Sequence, residues 1–198
     1  ENASQYGLRN IYSFIEDGSI NFATAQDKIV IGTENYEISA KAKFADISTS
    51  RLQYVVDVDG NNFSRAGRVA IYQETNTAAS TTEIKAVIIS SSGSTTTLSG
   101  DISSQSASDV FEISLKAVGT TFTLTVKVDN ITIFTSSGTA SRTNFTYDPF
   151  NNSGLLIGSH TNHGGLLTNG SKIADLKIRK NNELINLSLI HISEPTRQ

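Results

Sequence analysis

The segment from Asp109 to Thr135, DVFEISLKAVGTTFTLTVKVDNITIFT, constrains this chain more than any other. Phe111, Ile113, Leu115 and Ala117 alternate with Glu112, Ser114 and Lys116. Phe122, Leu124, Val126 and Val128 alternate in turn with Thr121, Thr123, Thr125 and Lys127. Successive side chains of a strand point to opposite faces, so each apolar set claims one face of a sheet and each polar set the other. Gly119-Thr120 and Asp129-Asn130 stand where two-residue hairpin turns belong, since these residues tolerate the positive φ that such turns need. The spacing predicts three consecutive strands, and with them an antiparallel β protein with one wet face per sheet.

The same signal recurs along the chain. Tyr36, Ile38, Ala40, Ala42 and Phe44 alternate with Glu37, Ser39, Lys41 and Lys43. Further strands are predicted over residues 19–22, 28–31, 51–58, 68–72, 83–90, 95–98, 155–158 and 173–179. In the last of these, Ala174, Leu176 and Ile178 are expected on one face and Asp175, Lys177 and Arg179 on the other. No long window has a helical period of 3.6. Many short strands with Gly, Asn, Ser and Asp between them point to an all-β sandwich or barrel, and a two-sheet antiparallel sandwich is the expected form. Its core is expected to include Ile38, Phe44, Phe111, Leu115, Leu124, Val126 and Leu176.

A chain of 198 residues is most simply one domain. At this length roughly 70% of the unfolded surface can be buried, so no covalent staple is needed. There is no cysteine, which excludes disulfides and thiolate metal sites. Charged residues are only 18%, so Ser, Thr, Asn and Gly supply most of the polarity. The net charge of −3 and the lack of a basic run argue against a nucleic-acid partner. No apolar stretch is long enough to predict a membrane span.

Two segments are expected to lie apart from the domain at 19–186. Residues 1–18 are apolar at irregular spacing and read as a lead-in, a short helix or the end of a preceding element. From Leu187 to Arg197 the chain reads LSLIHISEPTR, which resembles the translation of a transposase-type sequencing adapter over eleven consecutive residues. Residues 187–198 are therefore expected to be an adapter-derived tail with no specific role in the fold.

Five phrases in a fixed order carry a family resemblance. They are DKIVIGTENYEISAKAKF (Asp27–Phe44), GRVAIYQE (Gly67–Glu74) after a DGNN loop, FEISLKAVGTTFTLTVKVDNITIF (Phe111–Phe134), GLLIGS (Gly154–Ser159) and NGSKIADLKIR (Asn169–Arg179). Together, over about residues 19 to 180, they resemble the concanavalin A-like, laminin G-like jelly roll of phage tail and bacterial surface proteins. Many relatives carry a tryptophan, and this chain has none. The resemblance implies a jelly-roll sandwich with ligand-bearing loops, an extracellular or virion-surface location, and a place within a larger fibre or multidomain protein.

Catalysis is not expected. Family 16 glycoside hydrolases of this fold class carry clustered acids in an E-x-D-x-x-E run, because two carboxylates must flank the scissile bond. No such run is present, and Glu37, which lies near Glu34, falls on the polar face of an alternating strand. There is no Gly-x-Ser-x-Gly elbow, and outside the tail the histidines are His160 and His163, in one loop.

Binding has more support. Asp57-Val58-Asp59-Gly60-Asn61-Asn62 sets two carboxylates and two amides around a glycine, the oxygen supply that Ca²⁺ requires, with Asp57, Asp59 and Asn61 as candidate ligands. Asp-Gly is equally a turn signal without metal, and both readings stand. His160 and His163 could chelate an ion, though no third ligand is evident, or hydrogen-bond a sugar. The stretch Asn144–Asn152, NFTYDPFNN, places rings beside amides and a carboxylate, which is what a sugar's apolar face and hydroxyls need. It resembles the Asp-Pro loop of legume lectins without matching their metal ligands; alternatively Phe145 and Phe150 plug the sandwich end. The candidate ligand-binding residues are Tyr147, Asp148, Asn151, His160, Asn162 and His163, on either side of the 155–158 strand. The expected function is a non-catalytic recognition module for cell-surface glycan. A ligand-free spacer or decoration domain and an unusual glycoside hydrolase are the rivals.

Overall fold

The structure is a computed structural model that describes residues 12–13, 21–25, 29–30, 32–58, 66–142, 146–147, 155–158, 167, 170–185 and 189–193. The strands are β1 (Tyr12–Ser13), β2 (Asn21–Ala25), β3 (Ile29–Val30), β4 (Tyr36–Lys43), β5 (Arg51–Val58), β6 (Val69–Asn76), β7 (Thr81–Ile89) and β8 (Thr95–Asp101). They continue with β9 (Phe111–Val118), β10 (Thr121–Val128), β11 (Ile131–Thr139), β12 (Thr146–Tyr147), β13 (Leu155–Ile157), β14 (Lys172–Lys180), β15 (Glu183–Ile185) and β16 (Leu189–Ser193). Sheet 1 runs β1-β14-β4-β9-β10-β11, with β15 also on β14; sheet 2 runs β16-β2-β13-β5-β6-β7-β8; β12 and β3 form a separate ribbon. Every pairing among the described strands is antiparallel.

The alternation read from the sequence becomes the core. Register puts Tyr36, Ala117 and Phe122 in one row across β4, β9 and β10, and Ile38, Leu115 and Leu124 in another. Large and small side chains thus interdigitate, and all six are buried. Tyr36 meets Phe122 edge-on with ring centroids 6.1 Å apart, and Phe44 leans on Phe111 at 5.7 Å. Sheet 2 answers with Val55, Val58, Ile71, Ile84, Ala86, Ile88 and Leu98. Two glutamines, Gln53 and Gln73, also enter this interior. They bond to each other at 2.7 Å, to the Asp46 carbonyl and to the Thr75 hydroxyl, so their polarity is satisfied.

Both predicted turns close as expected. Gly119 has φ 57°, and Asp129 and Asn130 have φ 52° and 65°. A third hairpin, joining β14 to β15, uses Asn181 and Asn182 at 50° and 69°. At the β8–β11 seam the sheets approach so closely that a Cβ on Gly100 would collide with the Phe134 ring, and one on Gly138 would lie 2.9 Å from Leu98.

Two sequence expectations need correction. In β14 the alternation breaks at a bulge between Ala174 and Lys177, where Asp175 adopts φ 53°. Ile173 opposes Ala42 and Ile178 opposes Ile38, so β14 spends one residue more than β4 over the same span. Ile173 is therefore core, Ala174 is not, and Leu176 is only partly buried. Second, sheet 2 does not have a fully wet outer face: six successive residues of β5, Gln53 to Val58, are buried. The tail, expected to have no specific role in the fold, places Leu189–Ser193 as an edge strand against β2. A sheet edge offers unpaired N–H and C=O groups to any extended apolar segment, so this pairing requires no evolved complementarity.

Candidate functional site

Most of the loop residues singled out by sequence, Asp148, Asn151, His160, Asn162 and His163, lie outside the described residues. Tyr147 is described through its backbone, which pairs with Ile29 in the β12–β3 ribbon. Of the proposed calcium ligands, Asp59 and Asn61 lie outside the described residues as well. Asp57 is described, and it does not fit the role. It is fully buried, and Arg68 donates to both its oxygens, Nε to Oδ1 at 3.0 Å and a terminal nitrogen to Oδ2 at 2.8 Å. A cation there would have to displace a bidentate guanidinium. Burial pushes the Asp57 carboxyl upward and the Arg68 hydrogen bonds pull it back only in part. Beside this pair Tyr54 stacks on Tyr72 at 4.9 Å; burial, with Tyr54 as neighbour, pushes the Tyr72 phenol up to about 12.

Sheet 1 has a different outer face. Its polar side chains fall into three rows that cross the strands. One row is Lys41, Glu112 and Lys127 on β4, β9 and β10. The next is Lys177, Ser39, Ser114, Thr125 and Thr135, from β14 to β11. The third is Arg179, Glu37, Lys116, Thr123 and Ser137. Short hydroxyl residues thus lie between two rows of long charged ones. The result is a groove with a hollow of about 310 Å³ over Ser39, Ser114 and Thr125. Four strands at a spacing of about 4.8 Å make it roughly 14 Å long.

The walls are organised by ion pairs. Lys41 lies 3.2 Å from Glu112 and 4.0 Å from Asp175, which the β14 bulge turns toward it. On the other wall Glu37 accepts from the Ser114 hydroxyl at 2.8 Å and lies 3.7 Å from Arg179. Lys127 and Lys177 line the hollow and form no ion pair with any described residue. At the end of the same face Lys43 stands directly opposite Lys172. Sequence reading missed this groove because its floor comes from four strands far apart in the chain. The odd spacing of Ile173 and Ile178 was the one local sign of the bulge.

A second hollow, of about 360 Å³, sits at the end of the sandwich and is lined by hydroxyls, Ser90, Ser92, Ser94, Thr96, Thr120 and Ser141 among them. Near it Arg142 is buried over the Tyr36 and Phe122 rings and donates to the carbonyls of Glu34 and Thr33 at 2.7 and 2.8 Å. It latches the 33–34 turn onto the core. Among the described residues no group of three or more His, Cys, Asp or Glu could hold a metal ion, and no helix is long and apolar enough to cross a membrane.

Solved structures similar in fold include a phage tailspike and a pentraxin. Tailspike protein 2 of bacteriophage CBA120, in its enzymatically active domain, superposes with a TM-score of 0.53 at 18% identity, over 78% of this chain and 24% of that one. A heptameric SAP-like pentraxin from Limulus polyphemus superposes at 0.54 and 10% identity, over 90% of this chain and 78% of that one. This is the concanavalin A-like jelly-roll fold. The chain spans about a quarter of the tailspike it matches. No family model and no curated protein matches the sequence. At these identities the jelly roll is common ground in fold alone.

Proposed function

We propose that this jelly roll is a non-catalytic recognition module for glycan, displayed at a cell or virion surface as part of a larger protein. The observation that carries the reading is the groove across sheet 1. Its floor of Ser39, Ser114 and Thr125 offers closely spaced hydroxyl donors and acceptors, and its length suits an extended oligosaccharide. The groove rests on regular strands, which hold such groups in fixed positions. Its neighbour in fold from the phage tailspike is described as enzymatically active, which keeps hydrolysis as the rival. Glu112 and Glu37 stand on opposite walls, the arrangement a glycosidase uses, but each is tied to a cation, Lys41 and Arg179.

The test is retention on immobilised surface polysaccharides, run with and without EDTA, with released reducing ends assayed in parallel. Retention without cleavage supports the module. Release of reducing ends replaces it with the hydrolase, and no retention on any polysaccharide leaves the spacer. Dependence on EDTA would return attention to Asp59 and Asn61.

A further inference from the structure

Among the described residues, the outer face of sheet 1 gathers seven cations, Lys41, Lys43, Lys116, Lys127, Lys172, Lys177 and Arg179, and three carboxylates, Glu37, Glu112 and Asp175. A chain with a net charge of −3 thus carries one strongly positive face. We infer that the groove selects acidic glycan, with Lys127 and Lys177 taking the acid groups of the polymer. The inference rests on the glycan reading of that same groove and names its ligand class.

Three features of the face support it. First, Lys127 and Lys177 border the hollow at two separate points, Lys177 in the hydroxyl row and Lys127 in the wall beside it. Neither is neutralised by a described carboxylate. Second, Lys43 and Lys172 face each other directly across β4 and β14. Like charges in that position destabilise a sheet, and a bound anion relieves the repulsion. Third, the carboxylates are not excess charge in the groove but fixed acceptors: Glu112 and Asp175 flank Lys41, and Glu37 holds Ser114. They can accept hydrogen bonds from sugar hydroxyls while the lysines take the acid groups.

The same details disfavour a nucleic acid. A polymer with a phosphate at every residue would meet Glu37, Glu112 and Asp175 among the cations, at the wrong spacing for continuous neutralisation. The three rows present no aromatic side chain on which a base could stack. An acidic glycan has charges spread among hydroxyls, which matches a hydroxyl floor between mixed walls.

The experiment measures binding to polygalacturonate, polysialic acid and hyaluronate, beside fully methyl-esterified polygalacturonate, dextran and mannan as uncharged partners. Single-stranded DNA serves as a polyanion control. The variants are Lys127→Ala with Lys177→Ala, and Thr97→Glu, which makes a charge change of the same sign on sheet 2. The expected result is binding to at least one acidic polymer, lost on esterification where that polymer is polygalacturonate, and weakened by added salt. The double variant should bind about tenfold more weakly, and Thr97→Glu should bind as the parent does.

Equal binding to acidic and neutral polymers overturns the inference and leaves the glycan reading standing. No binding to any polysaccharide overturns both. Preference for DNA replaces the ligand class. Acid-selective binding that the double variant retains moves the site away from this groove.

Discussion

Two ion pairs of similar composition lie on the outward faces of the two sheets. On sheet 1, Lys41 and Glu112 meet at 3.2 Å with side chains 46% and 32% exposed. On sheet 2, Arg68 and Asp57 meet at 2.8 Å with side chains 4% and 0% exposed. The first pair belongs to a hydrated lattice of charges that can exchange partners with a ligand. The second has given up water on both sides and can exchange nothing, because any rearrangement leaves a buried charge alone. A charged residue on the outer side of a strand is thus a candidate for binding only where its neighbours leave it wet. Alternation alone does not reveal that.

The strongest way to break the comparison is Arg68→Ala. It strands the Asp57 carboxylate in the interior and should destabilise the domain by about 3–5 kcal/mol in denaturant titration. Replacing both partners, Asp57→Leu with Arg68→Met, should recover most of that loss, since an apolar pair of similar size needs no solvation. If the single variant melts like the parent, the pair is solvated and Asp57 becomes available as a ligand after all. A much smaller effect is expected for Lys41→Ala on the other face, about 0–1 kcal/mol, with the difference shrinking in high salt. A larger, salt-insensitive loss would show that the sheet 1 lattice is structural and not held ready for a partner.

The smallest effect concerns the far edge of sheet 2. Truncation after Asn186 removes β16 and should leave the melting temperature essentially unchanged, as the adapter reading requires. A fall of more than a few degrees would show that this strand contributes to the sheet as β8 does at the opposite edge.

Much of the architecture was readable before the structure. In β4, β9 and β10 every second residue is apolar, hairpin residues sit between β9 and β10 and between β10 and β11, and the core side chains Ile38, Phe44, Phe111, Leu115, Leu124 and Val126 follow directly. Leu176 packs against the core only partly buried, for a local reason: a bulge inserts one residue, and a period of two cannot anticipate it. The groove was hidden for a different reason. Ser39, Ser114, Thr125 and Lys177 meet only through strand register, a property of the whole sheet. The lysines were hidden as well, because a tally of −3 averages over faces that differ in sign. Asp57 looked like a metal ligand because its partner, Arg68, is eleven residues away and part of the next strand's approach.

The uneven sharing of charge also fixes how the molecule meets a large object. Among the described residues, seven cations and three carboxylates on one face contribute a dipole roughly normal to sheet 1. Near an acidic surface such a body feels a torque before it feels a contact, and it turns that face inward. Sheet 2 is then left toward the solvent. Raising the ionic strength would relax that alignment at distances beyond about 10 Å while leaving short-range contacts in the groove less affected.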